Sequence, residues 1–207
     1  MSESILICGI RLEVWAFIIS VISLLISLLK DVILPLIFRP KLVFKYEEEI
    51  SFRREDVVIN GNQYHRGTFL RFSVQNIGSR PASNCRCSVL EVFKDGSSYG
   101  DYAGFPLRWT SRPESIINQA SGERLNIALG ETEFIDLVCV TNQSPTIVLQ
   151  KYHSVPIGIR ETIEPGEYEI FLIFSGDNFK SRKLHFRIKK PNSQNIKDVA
   201  LRLIGYK

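Results

Sequence analysis

The sequence predicts an all-β sandwich preceded by one N-terminal transmembrane α-helix. Two observations carry that reading. Residues 14–38, VWAFIISVISLLISLLKDVILPLIF, form an apolar run with no charged residue between Val14 and Leu29. From Lys41 onward the hydrophobic period changes from helical to two, in about eight short stretches separated by turn residues. The expected organisation is therefore a membrane anchor over 1–38, a β-sandwich over 39–190 and a tail over 191–207.

The anchor is judged by length. At 1.5 Å per residue the uncharged part reaches roughly 24 Å and the whole segment roughly 37 Å, against a hydrocarbon core of about 30 Å. One helical crossing fits, with Trp15 at one boundary, where indole is favoured, and Lys30 and Asp31 near the other, where the lysine stem reaches the headgroups. Pro35 leaves two courses for VILPLIF: a kinked last turn of the span, or a stretch along the membrane surface. The uncharged run is longer than a secretory h-region, Glu3 and Glu13 precede it, and no small-x-small cleavage site follows, so the segment is expected to stay attached.

Polar residues gather on one side of this helix. At 100° per residue, Glu13, Ala16, Ser20, Ser23, Ser27, Lys30 and Asp31 share a stripe, opposite Val14, Ile18, Val21, Ile22, Leu25 and Leu29. In lipid, small and hydroxyl side chains at this spacing let helix backbones approach and exchange hydrogen bonds of about 0.6 kcal/mol each. The competing use of such serines is a bond back to their own i−4 carbonyls. The stripe makes Ala16, Ser20, Ser23, Ser27 and Lys30 the expected helix-contact face, with other membrane subunits or a second copy as partner.

Composition narrows the rest. The chain has 207 residues and a net charge of +4. Some 165 residues remain after the span, about one domain of ordinary size. No run of Lys and Arg interleaved with aromatics suggests a nucleic-acid groove. Arg39, Lys41 and Lys45 follow the span closely, where anionic lipid attracts cations, and they outnumber the positive charges before it, Arg11 and the amino terminus. That bias predicts an outside N-terminus and a cytoplasmic sandwich. Four cysteines, Cys8, Cys85, Cys87 and Cys139, lack any CxxC spacing. Cys85 and Cys87 are two apart on a strand, about 7 Å between Cα atoms, which suits buried free thiols better than a disulfide. A bridge from Cys139 to either of them stays open if the domain is exported.

The strands follow in order. KLVFKY leaves the span; TFLRFSVQN alternates Leu70, Phe72 and Val74 against Arg71, Ser73 and Gln75; CRCSVLEVFKDG changes face between Cys87 and Leu90, a hint of a bulge. FPLRW reads as one short strand, and residues 110–123 as a loop. RLNIAL and FIDLVCV flank a Gly130-Glu131 turn, and TIVLQ follows. EYEIFLIF and KLHFRIK form a hairpin about SGDNFKS. The tail NIKDVALRLIGYK is expected to form a short amphipathic helix using Ile196, Val199, Ala200 and Leu203.

With those residues in place, the string LRFSVQNIGSRPASNCRCSVLEVFKDG, the Gly-Glu turn and EPGEYEIFLIFSGDNF resemble CARDB-type immunoglobulin-like prokaryotic domains. The matching residues are Val74, Asn76, Gly78, Ala82, Gly130, Pro165, Gly166, Tyr168, Asp177 and Asn178. The resemblance covers about half the chain and implies an immunoglobulin-like fold; the anchor with PLRW is similar to uncharacterised single-span proteins. On this reading Gly78, Gly130 and Gly166 supply positive φ, and the Tyr168 hydroxyl bonds the preceding loop as in a tyrosine corner.

Signals for chemistry are few. His65, His153 and His185 are far apart, no serine sits in GxSxG, and neither a P-loop nor GxGxxG is present. Glu47-Glu48-Glu49 reads as a solvated charge run, and Asn142-Gln143-Ser144 as a glycosylation pattern disfavoured by Pro145. The expectation is a non-enzymatic protein without cofactor, metal or small-molecule substrate, acting as an accessory or scaffolding subunit. A ligand-sensing or adhesion domain is the alternative if the sandwich is exported. Tyr99, Tyr102, Phe105 and Trp109 are the expected partner-contact aromatics, although a Trp at position 109 is more often a core residue in such a fold.

Overall fold

The computed structural model describes residues 6–7, 10–49, 52–60, 63–100, 102, 104–111, 124–150 and 162–206. Cys8, His153 and most of the 110–123 loop lie outside the described residues. The chain divides into two compact units, Met1–Arg39 and Pro40–Lys207.

In the first unit, β1 (Leu6–Ile7) pairs antiparallel with β2 (Ile10–Arg11). Helix α1 (Leu12–Leu28) then runs through a π turn, Leu29–Ile33, into α2 (Leu34–Ile37). Proline explains the wide turn. Pro35 has no N–H to give the carbonyl four residues back, and the ladder adapts just before it: the Leu34 N–H reaches the Leu29 carbonyl, five residues away. The Phe38 N–H closes the last turn on the Leu34 carbonyl at 2.8 Å, and Phe38 itself is extended. VILPLIF thus continues the helix as far as Ile37. Val14–Ile33, with a mean hydropathy of 2.3, is long and apolar enough to cross a membrane, and none of it is buried.

The second unit is built of two antiparallel sheets of seven strands each. One contains β6 (Ala82–Lys94), β7 (Ser97–Ser98), β8 (Phe105–Pro106), β10 (Leu125–Ile127), β14 (Gly166–Ser175), β15 (Arg182–Lys190) and β16 (Ala200–Tyr206), in the path β10-β6-β14-β15-β16 with β7 and β8 also on β6. The other contains β3 (Leu42–Lys45), β4 (Arg53–Asn60), β5 (Gln63–Asn76), β9 (Arg108–Trp109), β11 (Thr132–Thr141), β12 (Ile147–Leu149) and β13 (Thr162–Ile163). Its path is β13-β12-β11-β5-β3, with β4 on β5 and β9 on β11.

The inward residues of both sheets make one core. Leu70, Phe72 and Val74 of β5 meet Ile170, Leu172 and Phe174 of β14 and Leu184, Phe186 and Ile188 of β15, all fully buried. Rings cross between the sheets: Phe72 to Phe186 at 4.9 Å, Phe44 to Phe174 at 5.2 Å and Trp109 to Phe174 at 6.0 Å between centroids. Aromatic pairs of this kind add about 1 kcal/mol each beyond the area they bury.

Two bulges shape β6. Opposite Phe171 and Leu172 the register jumps from Glu91 to Val89, so Leu90 is the extra residue. Against β10 it jumps from Ala82 to Cys85, with Asn84 at φ 52°. The Asp95-Gly96 turn beyond β6 has both φ values positive, 51° and 79°, the geometry Asp-Gly supplies for a tight hairpin into β7.

Several elements differ from the sequence expectation. FPLRW is two strands: Phe105-Pro106 pairs with β6 in one sheet and Arg108-Trp109 with β11 in the other, so the chain changes sheets at buried Leu107. The tail is not an amphipathic helix. After one 3-10 turn at Ile196–Asp198 it becomes β16 and pairs with β15. The alternation decides this: Val199 and Leu201 are buried, Ala200 and Arg202 exposed, and a strand satisfies the backbone groups along β15 that a helix would leave open. β4 was not legible in the sequence because Arg53, Arg54, Glu55 and Asp56 hide any apolar alternation. Gly130 has φ 76° as expected, whereas Gly78 is not among the positive-φ glycines.

Replacing Phe72 or Phe174 with alanine is expected to lower stability by about 3 to 5 kcal/mol, measured by chemical unfolding of the full chain in mild detergent. Phe171 is only half-buried, stacked on His185 at 4.3 Å on the outer face, and Phe171→Ala should cost clearly less. Equal losses at Phe171 and Phe174 would contradict the division of β14 into an inner and an outer face.

Candidate functional site

The helix carries the first group of predicted residues. Ala16, Ser20, Ser23, Ser27 and Lys30 are all exposed within their unit. Ser27 does not bond backward: its Oγ donates to Asp31 Oδ2 at 2.9 Å, one turn ahead and inside the π turn. A hydroxyl and a carboxylate are thereby joined on the polar stripe, and Lys30 sits beside them in the same turn.

Arg39, Lys41 and Lys45 are exposed as well. Lys41 and Lys45 flank Leu42 and Phe44, which are buried, so alternation along β3 turns the two lysines outward. Lys41 also marks one end of the β unit, where its carbonyl accepts the Ile77 N–H at 2.8 Å.

The aromatics require a correction. Tyr102, Phe105 and Trp109 are 2%, 3% and 1% exposed and belong to the core, Phe105 and Trp109 flanking the sheet change at buried Leu107. Tyr99 is half-buried and packs edge to face on Tyr168 at 5.2 Å. Among the described residues the buried Tyr168 hydroxyl has no hydrogen-bond partner, so they show no tyrosine corner.

Sequence reasoning missed two polar clusters. At the Lys41 end, the Asn76 side chain is fully buried and fully bonded. Its Nδ2 donates to the carbonyls of Arg80 (2.7 Å) and Ile127 (3.1 Å), and its Oδ1 accepts from the N–H groups of Gly78 (3.0 Å) and Lys41 (3.3 Å). Next to it, Asn178 joins Pro81 and Ser83, with Nδ2 donating at 2.8 Å and Oδ1 accepting at 3.0 Å, while Asp177 accepts from Asn84. The second cluster lies on the outer face of the β5 sheet. Asp136, 2% exposed, accepts from Arg108 at 2.9 Å and from the Thr110 hydroxyl at 2.7 Å; Arg71 stands opposite it in register and rests over Phe134. A buried carboxylate is tolerable only with such partners. Its signal in the sequence was an Asp inside an otherwise apolar strand.

Other titratable groups are also engaged in structure. Lys190, 1% exposed, has its ammonium on the carbonyls of Ser193 and Asn195, and burial lowers its pKa. On the outer face of β14 and β15, Arg187 bonds Glu169 at 2.9 Å and holds that carboxyl below its ordinary pKa, and His185 lies 3.5 Å from the same carboxylate. Beside His185 lies a hollow of about 430 Å³ lined by Phe171, Lys183, Ile204, Gly205 and Tyr206. Among the described residues no three His, Cys, Asp or Glu side chains gather as a metal site.

Cys85, Cys87 and Cys139 are free and buried. Cys85 and Cys87 face the core, whereas Cys139 stands outside it on the other side of β11. Burial pushes the Cys85 and Cys139 thiols up to about 12 and raises Cys87 as well. Comparison with protein-family models, curated proteins and solved structures finds no match.

In a Cys8→Ser background, iodoacetamide at pH 8 is expected to leave all three thiols unmodified until the β unit unfolds, since only the thiolate reacts. Rapid labelling of the native protein, read by mass spectrometry, would contradict this burial. The raised pKa values also make folding favour the protonated thiols, so their contribution to stability is level below pH about 9 and is lost as pH rises above it.

Proposed function

We propose that the chain is a membrane-anchored, non-enzymatic interaction module, an accessory or scaffolding subunit of a membrane protein assembly. The observation that carries this reading is the Val14–Ile33 segment: twenty residues, mean hydropathy 2.3, none of it buried, in one chain with a β unit that closes its own core. A helix so apolar and so unburied calls for lipid or other helices as its surroundings. The polar stripe is the side on which another helix approaches, and Ser27, Lys30 and Asp31 put hydrogen-bonding groups there.

The non-enzymatic part is supported by what the buried polar groups do. Asn76, Asp136 and Lys190 each hold chain segments together, and the cysteines are kept as neutral thiols. We further assign the β unit to the immunoglobulin-like class. In support, Asn76, Gly130, Asp177 and Asn178 of the CARDB-type pattern, remote in sequence, gather at one end and bond its loops. The charge bias after the span supports a cytoplasmic β unit with the N-terminus outside. The alternative, an exported ligand-sensing or adhesion domain, has the Gly205 hollow in its favour.

Two measurements test the reading. Replacing Ser23 and Ser27 together with leucine should preserve membrane insertion while removing co-purifying partners, or a homo-oligomer, in mild detergent. Ile18→Leu with Ile22→Leu on the opposite side should change neither, and unchanged assembly in both variants would remove the helix from the argument. For orientation, in a Cys8→Ser background, a membrane-impermeant thiol reagent should fail to label Ser181→Cys in intact cells and label it after permeabilisation. Labelling of intact cells would favour the exported alternative.

A further inference from the structure

Strand directions bring four remote segments to one end of the β unit. β3 starts there at Leu42, opposite Asn76, where β5 finishes. The loop 77–81 leads from that point into β6, the turn 128–131 leads into β11 at Thr132, and the loop 176–181 joins β14 to β15. Hydrogen bonds fix these loops as one platform. The Ile77 N–H reaches the Lys41 carbonyl, the Gly130 N–H reaches the Asn76 carbonyl at 2.8 Å, and Asn178 clasps Pro81 and Ser83.

The surface of this platform is unlike the rest of the unit. Ile77 and Leu129, at the tips of two loops, are 48% and 54% exposed. Among the described residues the only other large apolar side chains of the unit so exposed are Ile204 and Tyr206, on β16 where it runs toward the same end. Exposed Lys41, Arg80, Lys180 and Arg182 surround the tips. Against them stand two carboxylates, both already accepting hydrogen bonds: Asp177 from Asn84, and Glu131 from the Ala128 N–H at 2.6 Å. At the opposite end the described loops expose Asp95, Glu164 and Asp198 with Lys197, so among the described residues the exposed large apolar side chains of the unit lie toward one end.

Chain length says what this end meets. Only Arg39, Pro40 and Lys41 lie between the helix cap Phe38 and the first residue of β3. Four residue steps span at most about 14 Å. Resting on the anchor reading above, we propose that this end of the β unit docks on the bilayer surface. Ile77 and Leu129 insert among the headgroups, and Lys41, Arg80, Lys180 and Arg182 face anionic phospholipid. Two apolar tips within a basic ring match an interface that is apolar below and negative above, and each contribution needs the other because neither insertion nor attraction alone is strong.

The test uses the full chain with Cys8→Ser, reconstituted in vesicles of mixed phosphatidylserine and phosphatidylcholine. A bimane label is placed at Ile77→Cys, at Leu129→Cys or, as the far-end control, at Gln194→Cys, an exposed position in the turn after β15. Lipid-borne doxyl quenchers should quench the first two several-fold more than the third, and aqueous iodide should show the reverse order. Charge reversal by Arg80→Glu, Lys180→Glu and Arg182→Glu together should lower the docked fraction about tenfold or more. Resistance to alkaline carbonate extraction reports the anchor separately: protein that is stripped from the vesicles overturns the anchor and this proposal with it. Protein that stays embedded but exposes the label at position 129 to iodide as freely as the label at position 194 overturns the docking alone. Shielding that depends on the protein-to-lipid ratio and not on doxyl lipid would assign the end to a second copy and overturn the lipid contact.

Discussion

The β unit depends on one buried amide. Asn76 closes β5, and its side chain bonds the chain entering β3, the loop to β6, the end of β10 and its own turn. A buried primary amide offers two donors and a double acceptor, and leaving any of them unpaired costs about 1 to 3 kcal/mol. Hydrophobic burial brings the two sheets together without specifying how their loops meet. The Asn76 bonds do specify it: they tie both sheets at one end and leave Ile77 and Leu129 pointing outward while the loops that carry them stay ordered.

The middle of the unit is organised by the sheet change at Leu107. Two short strands, one on β6 and the next on β11, link the sheets across Leu107 and place Phe105 and Trp109 in the core. They also deliver Arg108 and Thr110 to Asp136, so the buried carboxylate and the sheet change require each other. Without Arg108 the buried carboxylate would lose its ion pair away from water, a larger penalty than the loss of a surface pair. The exposed Glu169–Arg187 pair on the outer face is of that lesser kind.

The features proposed to meet partners lie away from the aromatics singled out in the sequence. The polar stripe of the helix, with Ser27 bonded to Asp31, occupies one unit; the basic, apolar-tipped end occupies the other. Both are made of ordinary residue types, and both gain meaning from position: one from a 100° helical repeat, the other from strand polarity.

Alternation alone placed the inward residues of β5, β11, β14 and β15, because a period of two is imposed by backbone geometry and holds wherever one face is covered. The apolar helix was legible for the same local reason, and its length is set by composition. What the sequence could not show is pairing. Whether Phe105 and Trp109 lie in one sheet or two, and whether residues 200–206 wind or extend, depends on which backbone groups of β6, β11 and β15 await partners, and those belong to strands tens of residues away. The same applies to the platform: Lys41, Ile77, Arg80, Leu129 and Lys180 share no spacing in the chain. Asn76 was visible as part of a turn motif, but its four bonds arise only when the sheets have closed around it, since a side-chain amide commits to carbonyls only after water has been excluded from them.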